Sequence, residues 1–86
     1  MVNSNARANS SVTRLNCLGM RCPLPLISLK VCIDKLLPGQ LVEMQGDDSG
    51  TYQDLPHWCE LTGHKLISLS TSSPEFTAVL EKIKSK

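Results

Sequence analysis

The sequence predicts a small two-layer α/β domain. Apolar patterns alternate between strand-like and helical along the chain, and Pro or Gly closes several of them. The core must also be aliphatic: 41% of the 86 residues are apolar, but there is only one Trp, one Tyr and one Phe. A chain of this length suits one domain with modest burial. Residues 1–10 read as a disordered lead-in and residues 11–86 as the single domain.

The elements follow in order. SVTRLN, residues 11–16, reads as a first strand with weak alternation. In LISLKVCIDKLLPG, Leu26, Leu29, Ile33 and Leu36 or Leu37 recur at helical spacing. Pro38-Gly39 stops that helix and turns the chain. QLVEMQG is a second strand and DDSG a loop. TYQDLPHWCELTGH is a second helix, with Gly63 ending it. Pro56 would remove an internal hydrogen bond from a helix begun at Thr51. A start near Asp54 or Leu55 is therefore expected, with Asp54 as the cap. KLISLS is a third strand. In SPEFTAVLEKIK, Phe76, Val79, Leu80 and Ile83 fit a helix slightly better than a strand. Phe, Thr and Val favour sheet there.

Charge and cysteine usage narrow the function. The formal net charge is +1, and no basic stripe with stacking aromatics marks a direct nucleic-acid binder. No apolar run reaches the roughly 20 residues of a membrane span, and the polar start is not a signal segment. The cysteines at 17, 22, 32 and 59 are then free thiols of a reducing, cytoplasmic setting. A monomer suffices.

Cys22 stands out because RCPLP places it just before a helix that opens with prolines. Proline has a near-helical φ and no N–H, so it suits a first helical turn. Two registers are open. In one, Cys22 is the N-cap, Pro23 the first helical residue, and the Leu24 N–H points back at the sulfur. In the other, Leu24 is the cap and Pro25 the start. Either way the positive end of the helix dipole favours a thiolate, and Arg21 adds to it.

The sequence resembles the TusA/SirA family of small sulfur-carrier proteins. The marks are LGMRCPLP at 18–25, LLPGQLVEM at 36–44, DLPHWC at 54–59 and GH at 63–64, from Leu15 to about Lys84. The resemblance implies a βαβαββ two-layer α+β sandwich, with a mixed four-stranded sheet and two helices on one face. It places a strand, not a helix, at the C-terminus. It implies a persulfide on Cys22, which the helix-start reading has Arg21, Pro23, Leu24 and Pro25 support; no cofactor and no metal is expected. The implied donor is a cysteine desulfurase or a rhodanese-type protein. The implied acceptor is a downstream sulfur-accepting protein, toward tRNA 2-thiolation or, as in other members, sulfur oxidation; selenium handling uses the same thiol chemistry and leaves no mark in the sequence. Asn16 departs from the acid frequent in the family, which either eases thiol ionisation or marks a different partner.

The remaining residues have quieter readings. Cys17 reads as a buried or loop thiol, and Cys32 and Cys59 as core. His57, Cys59 and His64 lack a zinc spacing that one helix can turn toward one ion. His64 instead holds a turn by hydrogen bonding. Asp47, Asp48 and the lysines at 82, 84 and 86 read as solvated. The competing function is a non-catalytic redox-sensing, regulatory or metal-binding module that uses the same Cys22.

Overall fold

In a computed structural model, which describes residues 12–83, the chain runs β1 (Val12–Cys17), α1 (Leu24–Asp34), β2 (Leu41–Gly46), α2 (Ser49–Thr62), β3 (Lys65–Ser72), β4 (Glu75–Glu81). The lead-in at 1–10, Lys84 and Lys86 lie outside the described residues. The four strands form one sheet in the order β1-β2-β4-β3. β1 and β2 are parallel, with Val12 opposite Leu41 and Cys17 opposite Gly46, so α1 is the crossover between them. β4 is antiparallel to both neighbours. This is the mixed-sheet βαβαββ sandwich with both helices on one face.

Alternation along the central strands selects that face. Val42, Met44 and Gly46 of β2, and Phe76, Ala78 and Leu80 of β4, are buried. Pro25, Leu29 and Ile33 of α1 are buried, as are Thr51, Leu55 and Cys59 of α2, in each case four residues apart. These stripes meet the sheet. Burying an aliphatic side chain such as Leu29, Ile33 or Leu80 contributes roughly 1.5–3 kcal/mol relative to leaving it exposed. α1 ends at Asp34 and not at Pro38-Gly39, so Leu36 and Leu37 lie beyond the helix; Leu36 still packs against the core and Leu37 is exposed.

The C-terminal segment is a strand, against the slight helical preference of its own pattern. Between β2 and β3 it supplies backbone partners to both, from Leu41–Glu81 to Gly46–Phe76 and from Lys65–Glu81 to Ser72–Glu75. That pairing outweighs a local helical stripe. Leu66 and Leu69 both pack against the core, although they lie three apart, because the β3–β4 register shifts between Leu66 and Ser68.

α2 starts five residues earlier than Asp54. Asp48 is its N-cap, so Ser49 and Gly50 of the expected loop are helical and Pro56 lies inside the helix. The Asp48 carboxylate accepts hydrogen bonds from the Thr51 N–H at 3.0 Å and the Thr51 hydroxyl at 2.7 Å. This cap and the Thr51–Leu55–Cys59 stripe outweigh the single bond the proline deletes. Asp54 is exposed and is not the cap. Gly63 ends the helix at φ +86°, and its N–H is donated to the Cys59 carbonyl at 2.8 Å.

Lys82 is buried, not solvated. Its ammonium donates to the Ile33 carbonyl at 3.1 Å, placing a cation at the negative end of α1. His64 is also buried, and its Nδ1 accepts the Ile83 N–H at 3.1 Å, so it ties the start of β3 to the segment after β4 and does not hold a local turn.

Candidate functional site

The 17–23 segment leaves the sheet at the end of β1 and enters α1. Cys17 closes β1 fully buried, and its carbonyl accepts the Met20 N–H at 3.1 Å. Asn16 accepts the Leu18 N–H through its side-chain oxygen at 2.9 Å, a short local turn that an amide makes as well as a carboxylate. Gly19 takes φ +84°, which favours glycine. Met20 packs back against the core.

Neither expected cap register holds. α1 begins at Leu24, its N-cap is Pro23 with no side-chain bond, and Pro25 occupies an early helical position with its ring fully buried. Cys22 therefore lies one residue outside the cap. The Leu24 N–H is donated to the Arg21 carbonyl at 2.9 Å and not to the sulfur. The segment makes its own tight turn over 21–24 ahead of the helix. Cys22 itself is exposed.

Two residues that sequence reasoning set aside as solvated define this loop. Asp47 Oδ1 accepts the Gly19 N–H at 2.9 Å and the Arg21 guanidinium at 3.0 Å. Asp48 Oδ2 accepts the Cys22 N–H at 3.2 Å in addition to its Thr51 bonds. The guanidinium is thus paired with a carboxylate and the Met20 carbonyl. It is not a free charge beside the thiol. The Gly19 bond, followed by Arg21, holds the Asp47 carboxyl below its ordinary range. The Thr51 hydroxyl, followed by the Cys22 and Thr51 amides, does the same for Asp48. An Asp ahead of a helical segment is a general sign of a cap, but nothing local in the sequence signals the bond from Asp48 to Cys22.

The other cysteines differ from Cys22. Cys17 and Cys59 are buried and Cys32 is half-buried, and all four are free thiols. Burial pushes the Cys17, Cys32 and Cys59 thiols up, away from the thiolate. Among the described residues no group of three or more His, Cys, Asp or Glu side chains gathers where a metal could be held. None of the described helices is long and apolar enough to cross a membrane. Beside the loop, α1 exposes an apolar row of Leu24, Ile27 and Val31.

The fold and this loop define a class: a small α+β domain that presents one cysteine ahead of its first helix. Within that class, the family model described as Sulfurtransferase TusA matches residues 13–82. The chain belongs to the TusA sulfurtransferase family, whose role is sulfur carriage and transfer.

Proposed function

We propose that Cys22 is the sulfur-carrying residue. Its thiolate attacks the outer sulfur of a donor persulfide, the donor S–S bond breaks, and the donor cysteine leaves as thiolate. Cys22 then holds the transferred sulfur as a persulfide. An acceptor thiolate attacks that outer sulfur, and Cys22 leaves as thiolate. The two exchanges balance, with no external oxidant or reductant. The donor is a cysteine desulfurase or a rhodanese-type protein. The acceptor is another protein thiol, on a route to tRNA 2-thiolation or another sulfur-requiring pathway.

The observation that carries this reading is the exposure of Cys22 on a tethered loop, while Cys17 and Cys59 are sealed in the core. The exposed Leu24, Ile27 and Val31 support a protein partner, since contiguous exposed apolar side chains mark contact surfaces. Leu24 and the two prolines then serve the site by fixing the turn and this surface, and Arg21 by pairing with Asp47.

Incubation with a cysteine desulfurase and free cysteine, followed by mass spectrometry under non-reducing conditions, tests the reading. One added sulfur atom is expected on the Cys22 peptide, lost in Cys22→Ala and kept in Cys17→Ala. Stoichiometric zinc in the purified protein, with no sulfur loaded, points instead to a metal-binding module.

A further inference from the structure

We propose that Asp47 and Asp48 are positioning residues for Cys22, acting as a two-point clamp on the loop that carries it. The proposal rests on the carrier reading for its functional consequence. Its geometry stands separately.

The clamp crosses the sequence. Both carboxylates follow β2, yet their partners Gly19, Arg21 and Cys22 lie 26 to 28 positions earlier. Asp47 holds the start of the loop by the Gly19 amide and its middle by the Arg21 side chain. Asp48 holds its end by the Cys22 amide. Three donors of the four-residue segment 19–22, exposed except at Met20, thus go to two adjacent carboxylates. Without them, a loop containing a left-handed glycine and ending in an uncapped helix start has only its local turns and the packing of Met20 to order it.

Asp48 has a second attachment that makes the clamp rigid. The oxygen that accepts the Cys22 N–H also caps α2 through both donors of Thr51. The backbone of Cys22 is therefore referenced to the end of a fourteen-residue helix whose Thr51, Leu55 and Cys59 lie in the core. The charges are also compensated. Asp47 is paired with Arg21, and Asp48 sits at the positive end of α2. The carboxylates thereby hold the loop without setting an unpaired negative charge beside a sulfur anion. Sulfur exchange between two proteins needs the attacking and leaving sulfurs in line, so an anchored Cα at residue 22 raises the fraction of productive encounters.

The test uses the full chain and separates capping from clamping. Asp48→Ser keeps an N-cap, since serine caps as well as aspartate, but its side chain is too short to hold Thr51 and reach the Cys22 amide together. Asp48→Asn retains an oxygen at full reach. Sulfur loading from a cysteine desulfurase with free cysteine is measured as kcat and KM. Hydrogen exchange of the Cys22 amide is followed by NMR. For Asp48→Ser the expected result is a kcat lower by roughly 10- to 100-fold, little change in KM, and faster exchange at Cys22. Asp48→Asn is expected to recover most of both.

Wild-type loading and wild-type exchange in Asp48→Ser would overturn the proposal, as would a failure of Asp48→Asn to rescue a folded Asp48→Ser. If Asp48→Ser does not fold, Asp47→Ala decides on the same readouts, because Asp47 caps no helix. It is expected to speed exchange at Gly19 and lower kcat, and no change in either sinks the clamp. If the wild-type chain takes up no sulfur, the carrier reading falls, while amide exchange in the variants still decides the clamp.

Discussion

Gly46 and Phe76 show how tightly single positions are set. They face each other across the β2–β4 pair, and a Cβ on Gly46 would lie 2.6 and 2.7 Å from Phe76 Cε1 and Cζ. The ring is buried and packs on Tyr52, with centroids 5.6 Å apart, so it has little room to yield. Gly46→Ala is expected to destabilise the domain by about 1–3 kcal/mol, read as a lower denaturant midpoint. Most of that loss is expected to be absent when the same change is made in a Phe76→Leu background. An unchanged midpoint in the single variant would mean that the ring rotates away freely. Gly46 has an ordinary strand position in the sequence, and nothing local announces the ring above it. Cys22 is the opposite case. Its prolines, arginine and glycine lie within four residues, so its prominence was legible from the chain alone. Asp47 and Asp48 were not, because their loop partners are set by the parallel β1–β2 pairing, which ends with Cys17 beside Gly46.

At the scale of elements, the first three strands and the buried stripe of α1 were legible because apolar spacing is a local signal, as is the Pro38-Gly39 turn before β2. Gly39 takes φ +93°, and its N–H reaches the Lys82 carbonyl at 2.8 Å. The start of α2 and the C-terminal strand were misread by pattern because tertiary pairing decided both. Pro56 is the informative residue in α2. It is exposed in the helix interior, where it cannot donate to the Tyr52 carbonyl four residues back. Pro56→Ala is expected to stabilise the domain by about 1 kcal/mol or more, seen as a higher melting temperature. No gain would show that the stiffness proline imposes on the unfolded chain offsets the missing bond. The same change leaves the Asp48 cap and the Cys22 loop untouched, so sulfur loading is expected to stay at the wild-type rate.

At the scale of the whole molecule, acid-sensitive contacts sit at both ends of the sandwich. At the end away from Cys22, Lys82 holds the Ile33 carbonyl, the Lys82 amide donates to Gln40 at 2.8 Å, and His64 Nδ1 accepts the Ile83 amide. Burial, then the Lys82 charge, lowers the His64 pKa, while Asp34 opposes them and Lys30 adds to the lowering. A histidine whose folded value lies below its unfolded value contributes fully above the unfolded value of about 6.5. That contribution is lost as pH falls through the folded value, because the unfolded chain then binds the extra proton. Asp34, lowered first by its Lys30 hydrogen bond, and Asp47 and Asp48 at the Cys22 loop follow the same sign at lower pH. Their contributions hold above the ordinary carboxylate value of about 3.9 and disappear as pH falls through their lowered folded values. Denaturant stability measured from pH 8 to 3 is therefore expected to fall in two stages, one below about 6.5 and one below about 4. His64→Gln keeps an acceptor for the Ile83 amide and removes the titrating ring, so it is expected to abolish the first stage and leave the second. Persistence of the first stage in that variant would assign it to a group other than His64.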